Sequence, residues 1–239
     1  MTWLETLTTN PAITDALPEA LVETLLMVAI SGVATVLIGG LLGIVLHVTR
    51  PGGLNPMPAL YTVLSTVIVN ITRSVPYAIL MVALIPLTKW LVGTAIGPIA
   101  ATVSLTIGTA PFFARLVESA LREIPSGTVD AAQVMGSTRG QVLRKVLLPE
   151  AMPGLIAATT TTLVTLVGYS AMAGLIGGGG LGRLAYNYGY QRFQTEVMVV
   201  TIVVIVILVQ LIQWIGDLLI RRGVSGGPRG GSAGRQSTG

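Results

Sequence analysis

Charge is scarce in this sequence. Of its 239 residues, only 10% are Asp, Glu, Lys or Arg, whereas 52% are hydrophobic. Soluble domains carry about 25% charged residues, so a composition this apolar is typical of an integral membrane protein. The mean hydropathy of +0.79 agrees with that class. A membrane span needs about 20 residues, and the length therefore fits one bundle of about five helices.

Cysteine is absent and histidine nearly so. The lack of cysteine excludes disulfides, thiolate metal sites and cysteine nucleophiles, and His47 has no second histidine as a partner. The carboxylates form no cluster with metal-ligand spacing, and no serine has a plausible base. The P-loop pattern G-x-x-x-x-G-K-[ST] is also missing. The sequence thus indicates no catalytic residue, no metal site and no cofactor.

Apolar runs predict an all-α membrane protein with five spans. The spans are residues 24–48, 61–86, 96–113, 155–176 and 197–215. The second is irregular, because Arg73 interrupts it. We expect its helix to begin before Arg73, or the segment before Arg73 to lie along the membrane interface. Pro76 frees a backbone carbonyl and can kink this helix.

Basic residues predict the orientation. With the N-terminus outside, ten Lys and Arg residues fall in inner segments and three in outer ones. The positive-inside rule favours this arrangement, with the C-terminus in the cytoplasm. Residues 1–222 are then the transmembrane domain, and the Gly- and Ser-rich residues 223–239 are predicted to be a disordered cytoplasmic tail. Because the basic residues lie beside apolar spans, we expect contact with lipid and not with nucleic acid.

Two glycine patterns have simple interpretations. Gly39 and Gly43 form a G-x-x-x-G in the first span, which predicts close helix packing in lipid. Residues 177–182 match G-x-G-x-x-G, but they follow a membrane span and face outside. A dinucleotide site needs a preceding strand and a following helix, so we interpret these glycines as an outer turn.

A polar segment, residues 114–152, interrupts the apolar chain and is predicted to lie inside. Its first short helix is expected to be capped by Ser126 or Thr128, to run through Met135 and to end at Gly136. Helices this short are marginal in water. Either the bundle alone supports the segment, or a partner protein docks on it as well.

A second helix is predicted to begin at the capping box Thr138-Arg139-Gly140-Gln141 and to stop at Pro149. The two helices share a pattern that matches E-A-A-x3-G-x9-I-x-L-P with two conservative changes. The matching residues are Asp130, Ala131, Ala132, Gly136, Val146, Leu148 and Pro149.

This pattern resembles the EAA motif of bacterial ABC importer permeases. In that family the segment is the coupling helix, which fits a cleft on the ATPase subunit. The resemblance therefore implies ATPase coupling at these residues other than Val146, and at Arg139. It also implies the type I ABC importer permease fold in the bacterial cytoplasmic (inner) membrane, with two ATPase subunits as partners.

Further stretches resemble the methionine-type permeases of this family, over roughly residues 20–222. They are RSVP at 73–76, TIGTAPFFARLVESALREIPSG, LRKVLLPEAMPGL, VTLVGYSAM and GGGGLG. The resemblance implies a homodimer and an extracytoplasmic binding protein that delivers the substrate. Independently of it, five spans without an internal repeat are few for enclosing a pathway, which also predicts a second copy of the chain.

Several polar residues within the spans are candidates for the translocation pathway. A charge at membrane depth costs about 2.5–3.5 kcal/mol on insertion scales, so Arg73 is expected to face a water-filled cavity or a partner, or to snorkel to the inner surface. A pathway role and a structural anchor both remain open, as does plain helix packing for the residues of the fourth span. The candidates are Arg73, Ser74, Pro76, Tyr169, Ser170 and Met172.

The sequence thus predicts the membrane subunit of an ATP-driven importer for an amino acid, with methionine as the expected substrate. A permease for another small solute is the first alternative. An ion-coupled carrier or channel is the second, but the apolar cores of the spans contain no Asp or Glu, and ion-coupled carriers usually need ionisable groups there.

Overall fold

The computed structural model describes residues 9–224, and its regular structure in that range is helical. The predicted tail, residues 223–239, lies outside the described residues except for its first two. In chain order the helices are α1 (Ala12–Thr49), α2 (Pro58–Ser74), α3 (Tyr77–Ala83), α4 (Ile85–Val92), α5 (Pro98–Arg122), α6 (Ser126–Val134), α7 (consecutive segments Arg139–Val142, Leu143–Leu147 and Leu148–Glu150), α8 (Met152–Gly178), α9 (Gly180–Leu184 and Ala185–Tyr190) and α10 (Thr195–Val224).

Four of these helices are long and apolar enough to cross a membrane: α1, α5, α8 and α10. A fifth span is available if α2 and α3 count as one, which confirms the prediction of about five spans in an all-α protein.

The predicted second span, 61–86, is not one continuous helix. It is broken between α2 and α3, whose axes differ in direction by 103°. Pro76 lacks an N–H and disfavours the helical conformation of the residue before it, and Val75 is accordingly extended, with φ −85° and ψ 126°. The helix begins at Pro58, before Arg73, as expected. The break therefore follows Arg73 directly.

Helices α1 and α5 pack along most of their length, and the G-x-x-x-G pattern lies in their contact. A Cβ on Gly39 would lie 2.5 Å from the Ala110 carbonyl oxygen, and one on Gly43 would lie 2.6 Å from that of Ala114. The close packing predicted for these glycines is confirmed.

The third span extends further than predicted. Helix α5 continues to Arg122, so the first nine residues of the predicted polar segment 114–152 belong to a membrane helix. The polar residues of this last part of α5 are paired with one another and with α2, as described below. Because these polar side chains are paired, this part of α5 can remain helical and pack against the bundle.

The glycine turn after α8 packs against α1. The Glu23 carboxylate accepts a hydrogen bond from the backbone N–H of Gly180 at 2.6 Å and forms an ion pair with Arg183 at 3.1 Å. The Thr24 hydroxyl oxygen accepts from the N–H of Leu181 at 2.9 Å. Protein groups therefore occupy the donors that a nucleotide phosphate would need, which supports the interpretation as a structural turn.

Candidate coupling segment and translocation pathway

Helix α6 begins without the predicted side-chain cap. Pro125 is the N-cap residue, and neither Ser126 nor Thr128 caps the helix through its side chain. Ser126 is instead the first helical residue, since the extended conformation of Pro125 (φ −57°, ψ 133°) already turns the chain into the helix. The cap prediction was wrong for this physical reason.

The end of α6 is as predicted. Gly136 has a positive φ of 83°, which a residue without Cβ adopts readily. Its N–H donates to the Gln133 carbonyl oxygen at 2.9 Å, and the Ser137 N–H donates to that of Ala132 at 3.1 Å. These two bonds are a Schellman motif, so the chain reverses sharply at Gly136.

Helix α7 begins at the predicted capping box. The Thr138 hydroxyl oxygen accepts from the Gln141 N–H at 3.4 Å, and the Gln141 side-chain oxygen accepts from the Thr138 N–H at 2.8 Å. Pro149 does not itself stop the helix, which passes through a π-helical segment and ends at Glu150. Pro149 takes a position in the first turn of the final segment, where the lack of an N–H is tolerated.

One side of the coupling segment, α6 and α7, is packed against the bundle. Ala132 is buried, as are Val142 and Leu147 on α7. They share a hydrophobic cluster with the C-terminal end of α5, and Leu148 packs against it. The buried members are Phe113, Val117, Leu121, Ala132, Val142, Leu147, Ala151 and Ala158. The bundle therefore supports one side of the segment.

The other side of α6 is open. Asp130 and Ala131 are exposed, and the tip of the helix presents two large apolar side chains, Val134 and Met135, which are 89% and 79% exposed. The sequence prediction did not single out this pair. The signal was present, because two large apolar residues stand next to each other at the end of an otherwise polar short helix.

Two further predicted coupling residues are also at the surface. The Arg139 guanidinium donates to the Asn55 side-chain oxygen at 2.6 Å, which links α7 to the turn between α1 and α2. Pro149 is exposed. The structure thus brings the predicted coupling residues into one compact unit, with Ala132 and Leu148 directed inward and the rest outward.

A buried carboxylate connects α5 to α2 just above this unit. Glu118 is only 1% exposed, and its two oxygens accept from Arg115 and Arg122 at 2.6 Å each. The Tyr61 hydroxyl donates to Glu118 at 3.2 Å, and Arg115 also donates to Asn70 at 2.9 Å. The sequence prediction missed this cluster. The available signal was the spacing of the charges, because Arg115 and Arg122 stand three residues before and four residues after Glu118, and residues at these distances are neighbours on one face of a helix.

A third arginine lies close to the same carboxylate. Burial lowers the pKa of the Arg50 guanidinium, and the positive charge of Arg122 lowers it further, while the negative charge of Glu118 opposes this shift. His47, one turn earlier, is buried. The C-terminal end of α5 therefore concentrates three arginines around one carboxylate.

The break between α2 and α3 borders a cavity of about 140 Å³. Arg73, Phe112 and Tyr169 line it, together with Tyr77, Gly108, Thr72, Val75 and Leu80. The rings of Tyr77 and Tyr169 stack with centroids 4.2 Å apart and planes 3° apart. The Arg73 guanidinium lies 5.9 Å from the centre of the Phe112 ring.

The structure thus brings together two of the predicted pathway residues, Arg73 and Tyr169. Ser74 and Pro76 lie at the break but do not line the cavity; Ser74 donates to the Asn70 carbonyl oxygen at 2.8 Å. Ser170 is buried and donates to the Val167 carbonyl oxygen at 2.8 Å, which is typical of helix packing. Met172 is exposed, away from the cavity.

Comparison with known proteins decides the family. Residues 41–223 match the family described as "binding-protein-dependent transport system inner membrane component". The chain belongs to this family. The permease is therefore an inner-membrane transport component.

Several similar proteins of known sequence or structure are named for methionine transport. A probable D-methionine transport system permease protein MetI of Vibrio cholerae is 55% identical over 208 residues, covering 87% of this chain and 92% of the relative. The methionine import system permease protein MetP of Bacillus subtilis is 48% identical over 174 residues, covering 73% of this chain and 78% of the relative. A chain of the MetNI methionine ABC transporter, solved in inward-facing conformations, superimposes with a TM-score of 0.85 at 52% identity, covering 87% of this permease and 95% of that chain.

Proposed function

We propose that this permease is the membrane subunit of an ATP-driven importer for an amino acid, and that the amino acid is methionine. Two ATPase subunits drive two copies of the permease, and an extracytoplasmic binding protein delivers the substrate. Relatives that are 55% and 48% identical carry methionine-transport names. Because the chain has no P-loop pattern, ATP hydrolysis takes place in the partner and not in the permease.

The open tip of α6 is the observation that carries this proposal. Val134 and Met135 are almost fully exposed there, and they lie in a segment predicted to face the cytoplasm. Exposed apolar side chains of this kind mark a protein interaction site. The burial of Ala132 holds α6 against the bundle, so the tip is presented rigidly to a partner.

The packing provides a route from the docked ATPase to the pathway. A push on α6 reaches α5 through Ala132 and Leu121, which share one hydrophobic cluster. Helix α5 is bound to α2 through Glu118 and Tyr61, and α2 ends at the cavity that Arg73 lines. Closure of the ATPase dimer therefore moves the walls of the pathway between inward-open and outward-open states.

The pathway residues have distinct parts in this proposal. Arg73 and Tyr169 line the route, and Ser74 and Pro76 belong to the hinge between α2 and α3. Ser170 and Met172 lie further along α8, and they remain predicted pathway residues rather than parts of the cavity.

The orientation follows from the charge distribution. The N-terminus is outside, and the C-terminus is in the cytoplasm. The coupling segment then shares the inner side with Arg50, Arg221 and Arg222, as the positive-inside rule requires.

Reconstitution tests the proposal directly. The permease is co-expressed with its ATPase, purified, and assayed in proteoliposomes for uptake of radiolabelled methionine in the presence of binding protein and ATP. We expect Met135→Asp to lose ATPase co-purification and uptake, because a charge at the tip opposes an apolar contact. Met57→Asp is the matched control, since Met57 is also exposed but lies in the turn between α1 and α2.

Three outcomes would contradict parts of this proposal. Undiminished ATPase binding by Met135→Asp removes the docking role of the tip. Uptake that is competed equally by unrelated amino acids argues for another small solute. Uptake driven by a sodium or proton gradient without ATPase identifies an ion-coupled carrier.

A further inference from the structure

Arg73 lies beside the central part of the membrane helix α5. It approaches Phe112, which stands fourteen residues after the start of that helix at Pro98 and ten residues before its end at Arg122. A rise of 1.5 Å per residue places Phe112 about 21 Å from the first end and about 15 Å from the second. In a helix that crosses a hydrocarbon core about 30 Å thick, this position is near the centre, where charged residues are rare and mark functional sites.

No protein group among residues 9–224 neutralises this charge. Arg73 is exposed and forms no ion pair within that range, and the Phe112 ring lies 5.9 Å from its guanidinium. Arg115 and Arg122, by contrast, are both paired with Glu118 at 2.6 Å. An arginine at this depth without a carboxylate of its own is suited to a carboxylate that arrives with a ligand.

The cavity beside Arg73 is otherwise aromatic and apolar. The stacked rings of Tyr77 and Tyr169 form one wall and Phe112 another. Gly108 keeps the space open, because a Cβ there would lie 3.1 Å from the Tyr77 ring. Aromatic walls suit an aliphatic or thioether side chain, since sulfur makes favourable contacts with rings.

The backbone around the cavity has the form of a transporter site. Substrate sites in transporters are typically built at the membrane midplane by discontinuous helices. Here α2 ends at Ser74 and α3 begins at Tyr77 after a 103° bend, and Arg73 and Tyr77, on either side of the break, both line the cavity. A movement of α2 against α3 would change the size of that space.

We propose that this cavity is an amino-acid binding site within the permease itself. Arg73 binds the α-carboxylate of the substrate, and Tyr77, Tyr169 and Phe112 contact its apolar or thioether side chain. The site holds the substrate after it leaves the binding protein and before it reaches the cytoplasm. This inference rests on the proposed import of an amino acid, and it adds a site of selection by the permease.

The test is direct binding of radiolabelled L-methionine to the purified permease–ATPase complex in detergent, without binding protein. We expect saturable binding by the wild type and affinity at least about tenfold weaker for Arg73→Gln, the loss of one charge-assisted pair. Arg192→Gln is the matched control, because Arg192 also lies over an aromatic ring, that of Tyr188, but in the turn after α9. It should bind as the wild type does.

Ligand analogues test the same pairing without any mutation. Methioninol, which carries an alcohol in place of the carboxylate, should compete poorly for the wild-type complex, whereas norleucine, which keeps the carboxylate and an apolar side chain, should compete. Tyr169→Phe should retain binding, and Tyr169→Ala should weaken it.

The inference is overturned if the wild-type complex shows no saturable binding, if Arg73→Gln binds equally well, or if methioninol competes as strongly as methionine. Uptake by wild-type proteoliposomes distinguishes this result from failure of the proposed function. If ATP-dependent methionine uptake is intact while binding fails these criteria, only the binding site is wrong. If uptake is absent, the proposed function is wrong as well.

Discussion

At the residue scale, Glu118 illustrates how one carboxylate can hold together a strongly basic region. It is buried between Arg115 and Arg122 and accepts a further bond from Tyr61. Arg50 lies near enough for its pKa to respond to both Glu118 and Arg122. Without this carboxylate, three positive charges would face one another at the inner end of α5.

We expect Glu118→Gln to lower the stability of the permease by about 2–4 kcal/mol. Breaking a buried ion pair costs about 3–5 kcal/mol, and the 44% exposure of the Arg122 side chain reduces that figure through solvent screening. Thermal unfolding of the detergent-purified protein measures the change. Glu123→Gln removes the same charge from an exposed neighbour and should leave the melting temperature unchanged. Equal melting temperatures for the two variants would rule out this role for Glu118.

The same residues show which contacts a sequence reveals. The Schellman turn at Gly136 and the capping box of Thr138 and Gln141 were predictable, because each involves residues only a few positions apart. The pairing of Glu118 with Tyr61 was not, since it depends on how α2 packs against α5. Arg73 stood out through its charge, but its aromatic surroundings come from three separate helices.

At the element scale, α1 and α5 form a close pair because small residues meet along their contact. The Thr35 and Thr109 hydroxyl groups share a hydrogen bond of 2.7 Å across this contact. Interhelical polar contacts and small residues are the usual basis of helix association in lipid, where the hydrophobic effect does not drive it. The pair provides a firm support against which α2 and α6 are held.

Neighbouring glycines of α1 provide a matched test of this contact. Gly39→Ala places a Cβ 2.5 Å from the Ala110 carbonyl oxygen, whereas the nearest atom to a Cβ on Gly40 is a ring carbon of Phe113 at 3.7 Å. Both substitutions raise helix propensity equally. We expect Gly39→Ala to destabilise the protein by about 1–3 kcal/mol, the usual cost of overpacking, and Gly40→Ala to be neutral. Thermal unfolding would contradict the assigned contact if both variants melted alike.

The second span shows that the sequence can predict a break in a helix but not the angle of the bend. Arg73 and Pro76 indicated an irregular helix, and the extended conformation of Val75 follows from the proline after it. The size of the bend does not follow from these residues. It is set by the packing of α3 against α5, where the Tyr77 hydroxyl and the Ser104 hydroxyl lie 3.3 Å apart.

At the scale of the whole molecule, one face of the bundle is too polar for lipid. Helices α8 and α10 border a groove of about 550 Å³. Its lining includes Thr161, Thr165, Gln210, Gln213, Trp214 and Asp217. Lipid tails offer no hydrogen bonds to such side chains, so this face needs another polar surface or water. A twofold homodimer provides the first by placing the same face of a second copy opposite it.

The absence of cysteine makes this arrangement testable with single substitutions in the natural background. We expect Gln213→Cys in native membranes to form dimers with a short bismaleimide, because residue 213 would face its counterpart across the twofold axis. Ile215→Cys is the control. Ile215 lies on another side of α10, where it borders a second, apolar groove together with Leu155 and Leu219, and it should face lipid. Cross-linking is read as a band of doubled mass on a denaturing gel. Dimers through residue 215 and none through residue 213 would place the apolar side of α10 at the subunit contact, and the polar groove would then have to open to water within each subunit.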